Sequence, residues 1–178
     1  RLIGGPTSLG DIYSSFAEAI DAGATVLSNS WGWEGCPDIP IYASIRDAMD
    51  YAQEEGRGGL GAAVVISAGN DDCDFSEDGF QMMDIVTSVG AIDGKDQRES
   101  YSCYGELLDI SAPSGGVLTT DIVGSGGYGS WEGDDSYWDN MSGTSASAPI
   151  VSGVYALMFA ANPRITALQA QQVMCETA

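Results

Sequence analysis

Two short apolar runs rich in β-branched residues, separated by a helical segment, constrain the fold of this chain more than any other feature. The first run, ATVLSNS, covers residues 24–30, and the second, AAVVIS, covers residues 62–67. Apolar residues recur at helical spacing between them, namely Ile41, Ile45, Ala48, Met49 and Ala52. Buried strands joined through a helix by short connections predict a right-handed βαβ unit in a mainly parallel sheet.

The rest of the chain continues the alternation of helices and strands. Ser8 and Asp11 predict the cap of a first helix that closes at Gly23. Strands are predicted over residues 85–92 and 107–111, and the glycine-rich residues 115–139 predict surface loops or a hairpin. An apolar helix is predicted up to residue 161, followed by a short helix from the Thr166 cap to Met174. With no repeat and no linker, a single α/β domain over residues 1–178 is the simplest prediction.

The charge of the chain excludes several classes of partner. It has 26 acidic and 6 basic residues, a formal net charge of −20, and no histidine. Such a charge repels phosphate backbones and anionic lipid headgroups, so nucleic acids and membrane surfaces are poor partners, whereas calcium or basic peptides fit better. The longest apolar stretch, residues 151–161, is about half the roughly 20 residues that span a bilayer, so it predicts a core helix and no membrane span.

The missing histidine also limits the chemistry that this chain can perform alone. Histidine is the most common general base near neutral pH, so the chain cannot hold a self-contained Ser-His-Asp triad or a histidine zinc site. Four cysteines are present, Cys36, Cys73, Cys103 and Cys175, without the close pairing of a zinc module. They allow three disulfide connectivities if all of them pair, and disulfides fit them better than a metal. Disulfides imply an oxidising compartment, that is, a secreted or cell-surface protein.

A small-residue segment, SGTSASAP at residues 142–149, carries the best candidate nucleophile. Small neighbours leave room for a ligand at Ser145, and the positive end of the following helix would face a developing anion. Pro149 is expected in the first helical turn, where a missing N–H costs little. The alternative is that Ser145 is a plain N-cap before a core helix.

Three motifs in order resemble the subtilisin-like serine proteases, and most closely their kexin and proprotein-convertase branch. GTSASAP, followed by an apolar helix and Asn162, is similar to the nucleophile segment of that branch. GRGGLGAAVVISAGN, residues 56–70, is similar to the strand that ends in the oxyanion-hole asparagine. The resemblance covers nearly all of the chain. It implies a three-layer α/β/α fold, a nucleophile at Ser145 and an oxyanion donor at Asn70, a residue that could otherwise be a simple turn residue.

The same resemblance assigns the substrate-binding residues. Asn29-Ser30-Trp31-Gly32 resembles the strand edge that pairs with an extended peptide, so Ser30, Trp31 and Gly32 are candidates. Ser67, Ala68 and Gly69 resemble the wall of the primary specificity pocket, and Asp78 best matches its acid. The family pattern therefore implies a peptide or protein substrate cleaved after Arg or Lys. The alternative is that the acids of residues 71–78 form only a solvated loop.

Calcium and one disulfide are also implied by the resemblance. Asp72 and Asp74 are the candidate calcium ligands, because close carboxylates repel one another unless a cation lies among them. Two further calcium ligands of the branch are in doubt in this chain, because other residues replace the acids of the branch around Gly35 and at Cys103. A bridge in similar places in the branch implies a disulfide between Cys73 and Cys103, the alternative being four reduced thiols.

The chain departs from the family in its missing upstream part. The catalytic aspartate and histidine of the family precede every motif found here. The sequence begins at Arg1 and its first methionine is Met49, so we expect a piece of a longer protein whose missing N-terminal part supplies both residues. Alone it is expected to be inactive, and its exposed sheet edge is expected to favour self-association or association with the missing part. The alternative is a degenerate relative that binds peptides or calcium without catalysis. A nucleotide-binding fold is excluded because no phosphate loop follows any strand.

Overall fold

Helices and strands alternate along the chain in the computed structural model, which describes residues 8–32, 35, 43–74 and 83–178. The helices are α1 (Leu9–Asp21), α2 (Ala43–Glu55), α3 (Thr144–Ala161) and α4 (Ala167–Thr177). The strands are β1 (Val26–Asn29), β2 (Ala63–Ser67), β3 (Val86–Ile92), β4 (Ile110–Pro113), β5 (Val117–Thr120) and β6 (Tyr137–Met141).

The predicted parallel sheet is present, with strand order β1-β2-β3-β4 and all three neighbouring pairs parallel. The register places Asn29 beside Ile66 and Ser67 beside Val89, so the carboxyl ends of the strands lie at one edge. Within the described ranges β1 and β4 each have one strand neighbour, which leaves two open sheet edges.

Two hydrophobic clusters cover the two faces of this sheet and give the three layers. On β2, Val64 and Ile66 belong to the cluster formed with α1 and α2. The alternate residues Ala63 and Val65 belong to the cluster formed with α3 and α4. Successive strand residues point to opposite faces, so helices on both sides explain why this strand is apolar throughout. The architecture is therefore a three-layer α/β/α fold, as the resemblance implied.

The predicted cap of the first helix is confirmed in atomic detail. The Ser8 hydroxyl accepts a hydrogen bond from the Asp11 N–H at 3.2 Å, and the Asp11 carboxylate accepts one from the Ser8 N–H at 2.9 Å. This capping box satisfies backbone donors that have no partner within the helix. The Asp11 pKa is lowered because the hydroxyl and the N–H of Ser8 both donate to the charged carboxylate.

Two of the predicted strand boundaries differ from the structure. The strand expected over residues 107–111 lies at 110–113. The segment before it is joined to β3 by a side-chain contact and not by the backbone hydrogen bonds of a sheet. The Asp109 carboxylate accepts hydrogen bonds from the N–H and the hydroxyl of Ser88, both at 2.7 Å. Residues 115–139 form the hairpin alternative, with β5 and β6 antiparallel, and β6 extends to Met141.

Helix α3 is long and apolar enough to cross a membrane by length and composition alone, with 44% of it buried inside the molecule. Its inner residues Val151, Tyr155 and Phe159 belong to the hydrophobic cluster on the sheet. A helix whose inner face packs into the core is a core helix, which agrees with the sequence expectation.

Candidate active site

The three motifs meet where the parallel strands end. Residues 30–32 follow β1, residues 68–70 follow β2, and α3 begins beside them at Thr144. Ligands of parallel α/β sheets generally bind outside the carboxyl ends of the strands. The topology therefore brings the separate sequence motifs to one place.

Ser145 lies in the first turn of α3 and does not cap it. The N-cap is Gly143, with φ 83° and ψ 166°, and it makes no side-chain cap hydrogen bond. The alternative reading of Ser145 as a plain N-cap is therefore wrong. As the second residue of the helix, Ser145 presents an N–H that has no acceptor within the helix.

The Asn70 side chain is held in one orientation by the residue before the candidate nucleophile. Its Oδ1 accepts hydrogen bonds from the Thr144 N–H at 2.9 Å and from the Thr144 hydroxyl at 3.1 Å. Because a backbone N–H can only donate, Oδ1 must face Thr144 and the Nδ2 group must face away. Within the described residues Nδ2 makes no hydrogen bond, so it is a donor available to a ligand.

Gly143 is required by this arrangement. A Cβ at position 143 would lie 3.3 Å from Asn70 Oδ1, and the positive φ disfavours any L side chain. The glycine thus permits the close approach of the nucleophile turn to the asparagine.

Thr144 is a site residue that the sequence reasoning missed. It is fully buried, and its hydroxyl also accepts a hydrogen bond from the Gly69 N–H at 3.1 Å. One side chain therefore connects α3 with the segment that carries Asn70. Its position between Gly143 and Ser145 was the available signal, but its contacts join residues distant in sequence.

Ser30 holds the backbone of Ser145 at a point where Pro149 removes a helical hydrogen bond. Pro149 lies in the second turn of α3 and not in the first as expected. Because proline has no N–H, the Ser145 carbonyl four residues earlier lacks its helical donor. The Ser30 hydroxyl donates to that carbonyl at 3.0 Å, so the end of β1 replaces the missing helical bond.

The proposed substrate edge after β1 is supported by Asn29, another residue without an assigned role in the sequence analysis. Its buried amide donates to the carbonyls of Leu27 at 3.0 Å and Val65 at 3.2 Å. Its Oδ1 accepts a hydrogen bond from Trp31 Nε1 at 3.1 Å. The side chain of Asn29 thus fixes Trp31, while Gly32 follows without a side chain.

The three predicted pocket-wall residues are Ser67, the last residue of β2, and Ala68 and Gly69, which connect β2 to Asn70. Ser67 and Ala68 are buried, and the Ala68 N–H donates to the Val89 carbonyl at 2.9 Å. Gly69 is less buried, with φ 106°, and its carbonyl accepts from the Cys103 N–H at 3.1 Å. Asp78, the predicted pocket acid, lies outside the described residues.

The two predicted calcium ligands do not form a metal site with the described residues. Asp72 is paired with Arg98, its Oδ1 lying 2.7 Å from Arg98 Nη1. Asp74 lies in an isolated bridge opposite Tyr104. Among residues 8–32, 35, 43–74 and 83–178, no group of three or more His, Cys, Asp or Glu could hold a metal ion. Asp72 is thus already paired with a guanidinium, and two further acids of the loop, Glu77 and Asp78, lie outside the described residues.

The predicted disulfide between Cys73 and Cys103 is wrong. Cys103 carries a free, buried thiol, and Cys175 is also free. Cys73 is disulfide-bonded, although not to Cys103. The two residues are nevertheless neighbours, with 3.4 Å between the Cys73 nitrogen and the Cys103 sulfur. The implied placement of the two residues was thus right and the bond between them was not.

Comparison with known proteins agrees with this architecture. The family model described as the subtilase family matches residues 4–178. The chain is 33% identical to a calcium-dependent protease of Nostoc sp. over 87% of this chain and 27% of that protein. It is 31% identical to kexin of Candida albicans over 93% of this chain and 17% of that protein.

A solved structure shows the same fold. The prenylagaramide maturation protease PagA matches with a TM-score of 0.76 and 22% identity, over 96% of this chain and 58% of that chain. The chain thus spans about a quarter of the Nostoc relative and little more than half of the solved chain. With a family match from residue 4 to residue 178, on a parallel sheet whose strand ends converge on Ser145, the chain belongs to the subtilase family.

Proposed function

We propose that this chain is the nucleophile-bearing part of a serine endopeptidase. The observation that carries the proposal is the orientation of Asn70, whose Oδ1 is occupied by Thr144 while its Nδ2 remains a free donor beside the start of α3. Asn70 is exposed, so a turn residue could also leave its amide to water. An oxyanion hole in addition needs the amide held in one orientation, because donors must already be aimed where negative charge develops.

The proposed reaction assigns one step to each group. The Ser145 oxygen attacks the carbonyl carbon of a peptide bond while its proton passes to the base, which gives a tetrahedral intermediate whose oxygen is negative. Collapse of the intermediate breaks the C–N bond, the base returns the proton to the leaving amine, and water then hydrolyses the acyl-enzyme. The Ser145 N–H and the Asn70 Nδ2 group donate hydrogen bonds to that oxygen. A serine hydroxyl is a weak nucleophile without a base, and no histidine occurs in the chain, so the base and its aspartate come from sequence upstream.

The outer surface of α3 is proposed to receive that upstream part. Ile150, Val154 and Leu157 are 38%, 39% and 72% exposed, although they lie on the same helix as the core residues. The neighbouring strand β1 has an open edge within the described residues. The chain covers 58% of the solved relative PagA, so that relative has further chain beyond the matched part. Self-association through the same surface is the competing outcome.

A test of this association uses the chain and the separately expressed upstream segment of the same protein. Mixing the two should give a heterodimer in gel filtration, and Leu157→Asp should weaken it while the matched surface change Leu118→Asp does not. Dimers of the chain alone that ignore the upstream segment would instead support self-association.

The substrate is proposed to be a peptide or protein, bound along Ser30, Trp31 and Gly32, with Ser67, Ala68 and Gly69 beside the cleaved residue. A preference for Arg or Lys at the cleaved position, set by Asp78, and secretion to an oxidising compartment belong to the same proposal. The disulfide at Cys73 and the acidic net charge of −20 support them. Calcium binding by Asp72 or Asp74 is part of the same proposal, and Asp72 would have to release Arg98 to take that role.

The nucleophile is tested in the full-length protein that carries this chain. An active-site phosphonate should label Ser145, and Ser145→Ala should abolish both labelling and peptide hydrolysis. Ser142→Ala, an exposed serine three positions earlier, is the matched control and should keep both. A full-length protein that binds peptides but neither hydrolyses them nor reacts with the phosphonate would support the non-catalytic alternative.

Specificity is tested on a peptide library with the same protein. Cleavage after Arg or Lys should be lost preferentially in Asp78→Asn, because a neutral amide cannot pair with the substrate cation. A preference for large apolar residues that Asp78→Asn leaves unchanged would reject the assignment.

A further inference from the structure

A closed ring of hydrogen bonds surrounds the glycine that precedes the nucleophile turn. The Gly143 N–H donates to the Tyr101 hydroxyl at 3.3 Å. The Tyr101 and Ser114 hydroxyls lie 2.9 Å apart, and the Ser114 hydroxyl donates to the Gly143 carbonyl at 2.9 Å. The ring thus begins and ends on the same residue.

The proton positions in this ring follow from counting donors. The Ser114 hydroxyl has one proton, and the Gly143 carbonyl can only accept, so that proton points to the carbonyl. The hydrogen bond between the two hydroxyls must therefore be donated by Tyr101. Tyr101 in turn accepts from the Gly143 N–H, so every donor in the ring is used once, and the Gly143 carbonyl also accepts the Ala146 N–H at 2.8 Å.

The ring also connects the two halves of the candidate oxyanion hole. Ser114 is buried at the end of β4, and Tyr101 follows β3 in a turn. The Tyr101 carbonyl accepts the Asp72 N–H at 2.9 Å, two residues beyond Asn70. Tyr101 therefore holds the segment after Asn70 with its main chain and the turn before Ser145 with its side chain.

We propose that Tyr101 and Ser114 are positioning residues that fix the Gly143 turn, and through it the Ser145 N–H relative to the Asn70 amide. This inference rests on the proposed function, because an oxyanion hole is what the alignment would serve. Neither side chain touches the substrate in this role. The positioning of the Gly143 turn depends on the hydroxyl of Tyr101 and not on its aromatic group.

The test is Tyr101→Phe in the full-length protein, which removes the hydroxyl oxygen and keeps the aromatic side chain. Loss of a net hydrogen bond predicts a kcat about threefold to tenfold lower with an unchanged KM, since the oxyanion exists only along the reaction path. Ser114→Ala should lower kcat by the same factor, and the double variant should lower it no further, because either change alone already breaks the hydrogen-bond ring. The matched control is Tyr128→Phe at a residue that is 80% exposed, and its kcat and KM should equal those of wild type.

Backbone amide exchange supplies a second measurement that needs no activity. Exchange at Gly143 should be several times faster in Tyr101→Phe than in Tyr128→Phe, with similar melting temperatures. If wild type hydrolyses peptides and Tyr101→Phe retains full kcat, the positioning role is rejected. If wild type hydrolyses nothing, the proposed function fails, and unchanged Gly143 exchange would then reject the ring as a constraint on the turn.

Discussion

The two regions of helix α3 differ sharply in how they are held. Its first turn is bonded to three other parts of the fold, through Asn70 on the loop after β2, Ser30 at the end of β1 and Ser114 at the end of β4. Its outer surface leaves Val154 and Leu157 exposed. The difference teaches that the described residues by themselves fix the Asn70 amide and the start of α3, whereas they leave the outer surface of α3, the proposed docking surface, uncovered.

The largest predicted effect compares the inner and outer faces of α3. Phe159 is 7% exposed and packs against Tyr155 and Arg57, so Phe159→Ala should lower the free energy of unfolding by about 3–5 kcal/mol. Leu157→Ala should change it by less than about 0.5 kcal/mol in the chain alone. Urea unfolding measures both.

Urea unfolding of the same two variants in the full-length protein tests whether the outer surface of α3 is covered there. There Leu157→Ala should become costly, because the proposed upstream part would cover the side chain. Equal costs for Leu157→Ala in the chain and in the full-length protein would show that this surface stays open.

The next largest effect concerns the Asn70 side-chain amide beside the first turn of α3. Asn70→Ala in the full-length protein should lower kcat by about 10²–10³ with little change in KM, a magnitude borrowed from the equivalent donor in a subtilisin. Steady-state kinetics on a peptide substrate measure it. An effect confined to KM would mean that Asn70 serves as a turn or binding residue.

Thr144→Val is expected to have a smaller effect than loss of the amide itself. The variant keeps the shape of the buried side chain but leaves the Gly69 N–H without its acceptor and Asn70 Oδ1 with one donor. We expect a loss of about 1–3 kcal/mol in unfolding free energy together with a lower kcat. Thr119→Val on β5 is a control outside the site. A stability loss without any change in kcat would separate Thr144 from the orientation of Asn70.

The smallest effect is expected far from the site, at the cap of α1. The lowered pKa of Asp11 means that its stabilising effect is fully present above the ordinary value of 3.8 and is lost as pH falls through the folded-state pKa. Asp11→Ala should therefore melt slightly below wild type at neutral pH, and the gap should close in acid. A melting-temperature gap that persists at low pH would contradict the capping box.

Much of the fold was predictable because local signals and burial agreed. The Ser8 cap, the apolar spacing of α2 and the β-branched run of β2 each predicted an element that the structure contains. The boundary of β4 was not predictable, since Asp109 and Ser88 interact across strands. The predicted disulfide between Cys73 and Cys103 was wrong for a related reason. The two residues are neighbours in the fold, but proximity alone does not determine which sulfur atoms form a bond.

The sequence by itself determined the family, the parallel α/β architecture and the identity of Ser145 and Asn70 as candidates, because these depend on residue types at short spacing. Only the tertiary structure decided which atoms of those residues are free. Thr144 occupies one side of the Asn70 amide, Ser30 replaces the bond that Pro149 removes, and Tyr101 with Ser114 encloses Gly143. Each of these contacts joins segments far apart in the chain, and hydrogen-bond geometry exists only once the fold has brought them within about 3 Å.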